Sequence, residues 1–133
     1  MKITQPQDVH RYFGMAFNSG DLDALMSMYE PGAVLAPEPG SAQTVTGAEA
    51  IRAGLQQLLA LHGKMEAATI ACLETGDIAL TSANWRLRGT GPDGKPIEMS
   101  GRSVEVLRRQ SDGCWRLVID HPFGAGCSAA PGQ

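Results

Sequence analysis

Residues 9–35 read VHRYFGMAFNSGDLDALMSMYEPGAVL, which spells two short amphipathic helices, a polar break and the start of a strand. Val9, Tyr12, Phe13, Ala16 and Phe17 recur at helical spacing and form one apolar face. Asn18-Ser19-Gly20-Asp21 stops that helix, because Gly20 is free to take positive φ and Asp21 can accept amide protons at the start of a second helix. On the second helix Leu22, Leu25, Met26 and Tyr29 share a face. Pro31-Gly32 ends it before Ala33-Val34-Leu35, a short strand.

Beyond Leu35 the segment APEPGSAQTV is a Pro/Gly/Ser-rich loop, and Thr46-Gly47-Ala48-Glu49 has the form of a capping box opening a third helix. Ile51, Leu55, Leu58 and Leu59 give that helix its buried face, and His62-Gly63 is its C-terminal stop. Four strands follow, at Met65 to Thr75, Ile78 to Arg88, Ile97 to Arg109 and Cys114 to Asp120. Gly76-Asp77, Pro92-Asp93-Gly94-Lys95 and Ser111-Asp112-Gly113 connect them as hairpin turns. Three N-terminal helices packed on a curved, mainly antiparallel sheet make an α+β fold. Residues 1–125 are expected to form a single domain, and 126–133 a flexible tail with nothing to bury.

The chain has 133 residues, 43% hydrophobic and 19% charged, a composition that suits one globular core. A net charge of −3, with Arg108-Arg109 as its small basic pair, argues against nucleic acid as a partner. No apolar run approaches the roughly 20 residues that span a bilayer, so no membrane partner is expected. The start MKITQPQDVH lacks the basic and apolar regions of a secretory signal, and a cytoplasmic location is expected. Cysteines 72, 114 and 127 make neither a disulfide framework nor a zinc knuckle, and His10, His62 and His121 show no metal-binding spacing. Neither a metal nor a cofactor is implied.

The stretch TSANWRLRGTGPDGKPIEMSGRSVEVLRRQSDGCWRLVIDHPFGA, residues 81–125, resembles the long hairpin and closing strand of SnoaL-like and DUF4440-type proteins. These belong to the ketosteroid-isomerase and nuclear-transport-factor-2-like superfamily. With the N-terminal helices, the resemblance runs over about residues 8–125. It implies a cone-shaped, barrel-like fold with a pocket. Counted from Asn18-x-Gly20-Asp21, the ketosteroid isomerases' helix tyrosine falls on Phe13, with Tyr12 beside it, and their base on Pro37, with Glu38 beside it. Their deep acid falls near Arg102 or Ser103, so steroid isomerase chemistry does not transfer. SnoaL-type cyclases use an acid/base carboxylate late in the chain, which points to Asp120 in RLVIDHP.

Asp120 follows Leu117-Val118-Ile119 and precedes His121. It is either a desolvated acid/base assisted by His121 or a strand end paired with Arg102 or Arg86. Strand alternation sets Arg102, Val104 and Val106 on one face and Ser103, Glu105 and Leu107 on the other. Were the valine face concave, Arg102 would bind an anionic ligand group or neutralise Asp120; were it convex, Arg102 would be solvated, and Gly101 beside it could mark a parity-changing bulge. Trp85, on a face with Ala83 and Leu87, is a core or ligand-stacking ring, and Trp115 shares a core face with Leu117 and Ile119. Tyr12 and Tyr29 are candidate pocket donors. His10, His62 and Glu98 receive no role, and Glu38 is read as surface. Catalytic Asp120 and His121 with ligand-binding Tyr12, Trp85 and Arg102 would serve a cofactor-independent isomerase or cyclase acting on a small hydrophobic or aromatic molecule. The alternative is a non-catalytic binding or assembly module. Apolar residues on both faces of the strands point to a homodimer.

Overall fold

The computed structural model describes residues 2–40 and 43–124. A short 3-10 turn, Pro6–Asp8, leads into α1, Val9–Asn18, and α2, Leu22–Ser27. Strand β1 (Tyr29–Leu35) and the two-residue β2 (Val45–Thr46) precede α3, Ala48–Leu59. Strands β3 (Lys64–Thr75), β4 (Ile78–Thr90), β5 (Pro96–Arg109) and β6 (Trp115–His121) complete the domain. The sheet runs β2-β1-β6-β5-β4-β3 and is not closed. All its pairings are antiparallel except β1 with β6.

The helix break forms as its residues dictate. Gly20 takes φ 68°, and the Asp21 carboxylate accepts from the Ala24 amide at 3.0 Å. Turn glycines 76, 94 and 113 all have positive φ, at 55°, 79° and 85°, as tight hairpin connections require. Tyr29 departs from expectation: α2 stops at Ser27, and Tyr29 opens β1 instead of sitting on the helix face. The capping box is also absent. Thr46 is taken up in β2, and the residue at the N-cap of α3 is Gly47, at φ 93° and with no side chain to accept an amide. At the other end of α3 the left-handed residue is His62, φ 49°. Gly63 instead allows a close approach, since a Cβ there would lie 2.5 Å from the Arg88 carbonyl oxygen.

The core lies between the helices and the inner face of the sheet, where Leu25, Ile51, Leu55, Leu87, Leu107 and Leu117 are essentially inaccessible. Each contributes about 1.5–3 kcal/mol by leaving water. Its N-terminal end is closed by Ile3, whose carbonyl accepts from the Trp115 amide at 2.7 Å. Among the described residues no helix is long and apolar enough to cross a membrane. The expected tail at 126–133, with Cys127, lies outside the described residues.

Register shifts interrupt three of the pairings, β1 with β6 between Tyr29 and Val34, β3 with β4, and β5 with β6, and that in β6 decides which of its side chains enter the core. In β6, Leu117 pairs with Leu107 but Ile119 pairs with Val106, so Val118 is an extra residue. The alternation that joined Trp115, Leu117 and Ile119 therefore breaks: Trp115 and Leu117 face inward, while Ile119 turns outward and is 44% exposed. A second bulge lies between Thr69 and Ala71 on β3. The β4–β5 ladder is unbroken from Ile78 opposite Arg108 to Thr90 opposite Pro96, so Gly101 marks no bulge. It makes room for Trp85, whose Nε1 would lie 3.0 Å from a Cβ at that position.

Candidate functional site

Cross-strand register assembles a polar row in the core. Asp120 on β6 is opposite Glu105 on β5, Glu105 is opposite Thr81 on β4, and Thr81 is opposite Cys72 on β3. On the other side Asp120 is opposite Leu35 of β1. These partners share the inner face, and Asp120, Glu105 and Thr81 are all buried. His10 reaches down from α1 and is itself buried. Its Nε2 stands 2.7 Å from Glu105 Oε1 and its Nδ1 2.7 Å from Thr69 Oγ1. The Thr81 hydroxyl donates to the same Glu105 oxygen at 2.8 Å. The Tyr29 hydroxyl donates to Asp120 Oδ2 at 2.6 Å.

Two carboxylates facing one another in a low-dielectric core resist ionising together. Burial, and then the charge of Glu105, push Asp120 up from the usual 3.8 to about 7, against the opposing influences of the Tyr29 hydrogen bond and the nearby His10. Tyr29 is raised well above its usual value, by burial first and then by the Asp120 charge and hydrogen bond. Near neutrality Asp120 therefore populates both its protonated and its charged form while Tyr29 remains a donor. That is the condition for general acid–base work at pH 7.

The other sequence candidates scatter. His121 is opposite Val104, on the outer side of the sheet from its neighbour Asp120, and among the described residues its buried Nδ1 has no partner. The histidine that acts on Asp120 is His10, to which the sequence reading gave no role. Arg102 is exposed on that outer face, its Nε donating to Asn84 Oδ1 at 3.3 Å. The concave alternative for Arg102 is thus overturned, because Ser103, Glu105 and Leu107 are the buried set. Tyr12 is partly buried against the core, with the Arg11 guanidinium 4.9 Å from its ring centre. Trp85 faces inward, donates from Nε1 to the Pro122 carbonyl at 2.6 Å and meets Phe123 edge-on at 5.4 Å between ring centres.

Sequence reasoning missed two ionisable members of the cluster, along with Thr69 and Thr81. Glu105 had a visible signal: it is a carboxylate on the same strand face as Leu107, beneath the helices. His10 borders the apolar stripe of α1, at i−3 to Phe13 and i−7 to Phe17. Among the described residues no group of three His, Cys, Asp or Glu side chains is placed to hold a metal ion.

Solved structures with the same fold include a ketosteroid isomerase-like protein from Erwinia carotovora atroseptica, 16% identical, with a TM-score of 0.73 over 86% of this chain and 88% of that one. An NTF2-like protein with a cystatin-like fold from Novosphingobium aromaticivorans is 21% identical, with a TM-score of 0.70 over 91% and 79% of the two chains. A conserved protein from Planctomyces limnophilus, 20% identical, gives a TM-score of 0.75 over 86% and 88%. Such identities establish a shared fold alone. Among curated proteins none matches the sequence. The helices, the open curved sheet and a match of residues 9–118 to the SnoaL-like domain model agree, and the chain belongs to the SnoaL-like family.

Proposed function

We propose that the protein is a cofactor-independent acid–base enzyme of isomerase or cyclase type, in which Asp120 moves the proton and Tyr29 donates to it. The observation that carries this reading is the buried Tyr29–Asp120 pair, 2.6 Å apart, with Asp120 held near 7. As a carboxylate Asp120 is a base for an activated C–H or hydroxyl proton; once protonated it returns that proton to a different atom of the substrate. With Arg102 outside, the inner site presents two carboxylates and one histidine already committed to Glu105. That charge distribution disfavours an anionic ligand and suits a small, uncharged hydrophobic or aromatic molecule bearing a carbonyl or hydroxyl group. Tyr12 and Trp85, both partly buried against the core, are the aromatic surfaces assigned to such a ligand.

The test is a binding screen of uncharged phenols, aryl ketones and their carboxylic-acid analogues, followed by affinity against pH for the wild type, Asp120→Asn, Tyr29→Phe and Arg102→Leu. Binding of neutral compounds with a transition near pH 7 that disappears in Asp120→Asn supports the reading, and Arg102→Leu should match the wild type. Preferential binding of the acids, or a transition that survives in Asp120→Asn, refutes it.

For the partner we propose a second copy of the chain, in the cytoplasm, seated on the outer sheet face. Leu73, Leu80, Val106, Ile119 and Val34 are successive cross-strand partners there, one row over five strands. Leu73, Leu80 and Ile119 are 68%, 38% and 44% exposed. A continuous apolar row on the side away from the helices is what a two-fold sheet-to-sheet contact covers. Light scattering at micromolar concentration should give twice the chain mass, and a monomer would refute this.

A further inference from the structure

Thr69 is exposed on β3, which forms one edge of the sheet. Its hydroxyl oxygen nevertheless lies 2.7 Å from Nδ1 of the buried His10, whose Nε2 lies 2.7 Å from the buried Glu105. The imidazole thus has one nitrogen toward the solvent edge and the other toward the carboxylate pair. Glu105 in turn faces Asp120 as its register partner, and Asp120 holds the Tyr29 hydroxyl. Bulges adjoin both ends of this chain of groups, after Thr69 on β3 and at Val118 on β6. Bulges re-aim side chains and cluster beside functional sites. Of the ionisable groups on the inner face of the sheet, Glu105 from β5 is bonded to His10, Asp120 from β6 feels its charge, Tyr29 from β1 donates to Asp120, and Cys72 from β3 lies in the same cross-strand row as Thr81 and Glu105.

We propose that His10 is a proton relay between the solvent edge at Thr69 and the buried Glu105–Asp120 pair. A proton supplied by water through the Thr69 hydroxyl binds Nδ1, and the proton on Nε2 passes to Glu105 Oε1. The ring is left in its other tautomer, and the reverse passage or a ring flip restores it; no electrons are transferred. No hydrogen bond joins Glu105 to Asp120 among the described residues, so a turn of the Glu105 carboxyl toward its register partner carries the proton across, and the buried acid recharges without opening of the core. A satisfied structural histidine would also make two hydrogen bonds, but it would not couple the exchange of a buried hydroxyl proton to an edge threonine. His10 is therefore a positioning and proton-transfer residue, and it does not need to touch a ligand. The inference shares Asp120 with the acid–base reading above, yet it stands on the cluster alone and survives if no substrate is turned over.

The experiment measures exchange of the Tyr29 hydroxyl proton with water by NMR magnetisation transfer in the full chain, for the wild type, Thr69→Val and His10→Gln. Thr69→Val removes the outer hydroxyl at an exposed strand position, and His10→Gln keeps a donor toward Glu105 but cannot shift a proton between two nitrogens. Both variants should slow hydroxyl exchange on the order of a hundredfold, the range expected when a positioned acid–base group is lost. Backbone amide exchange at Leu117, which reports opening of the core, should stay as in the wild type. Unchanged hydroxyl exchange in Thr69→Val overturns the proposal, and that variant decides the matter alone if His10→Gln fails to fold. Hydroxyl exchange that merely follows Leu117 amide exchange in every protein overturns it as well, because the proton then escapes by opening.

Discussion

Replacing Asp120 by asparagine should make the protein progressively more stable than the wild type as the pH rises from 4 to 8. Asparagine is nearly the same size and its carbonyl oxygen can accept the Tyr29 hydroxyl that Asp120 accepts at 2.6 Å, so the packing is retained while the titration is removed. In the wild type the folded-state value lies near 7 against the usual 3.8. Because it is raised, the folded state binds more protons than the unfolded state between those values, and stability declines as the pH climbs through that window. At about 1.4 kcal/mol for each tenfold change in proton affinity, the decline amounts to about 4 kcal/mol for this fully buried group. That is a large share of the roughly 5–15 kcal/mol by which a domain is stable. Urea unfolding at pH steps from 4 to 8 measures it, and the difference between variant and wild type cancels distant groups that titrate alike in both. Glu105 is coupled to Asp120, so the magnitude belongs to the pair. Glu105→Gln, which removes the neighbouring charge, should move the wild-type decline to lower pH. A variant-minus-wild-type difference that is flat across the window would refute the account of Asp120 as a desolvated acid.

Other consequences follow from the same geometry. Tyr29→Phe removes a hydrogen bond that favours the Asp120 carboxylate. It should raise the Asp120 value further, read from the carboxyl carbon by NMR, and cost about 1.5–3 kcal/mol of stability at alkaline pH. Gly101→Ala places a Cβ 3.0 Å from both Trp85 Nε1 and the Pro122 carbonyl; thermal unfolding should show a loss of about 1–3 kcal/mol with altered tryptophan fluorescence. Leu80→Glu on the outer face should give a folded monomer by sedimentation if a second copy covers that face, whereas an unchanged mass would place the contact elsewhere.

The order of elements is legible in the chain because the signals for it are local. Helical spacing in Val9–Phe17, the Gly20-Asp21 break and the three turn glycines each act over a few residues, and the observed β3, β4, β5 and β6 begin and end within two residues of the strands read from sequence. Asp120 could likewise be singled out, from the apolar run before it and from the family resemblance. Its environment could not. Strand alternation would have placed Asp120 on the face opposite Trp115 and Leu117, and one extra residue at Val118 turns it inward and sends Ile119 and His121 out. Similarly, Arg102 and Glu105 are each a plain alternation problem until the position of the helices declares which face is buried. The partners of Asp120 come from residues 29, 105 and 10, brought together by sheet register and by the packing of α1 rather than by spacing along the chain. Bulges and face assignment depend on how strands pair over long sequence separations. The sequence therefore determined the order of the helices and the long strands and marked Asp120, and the tertiary structure alone decided which histidine and which carboxylate accompany it.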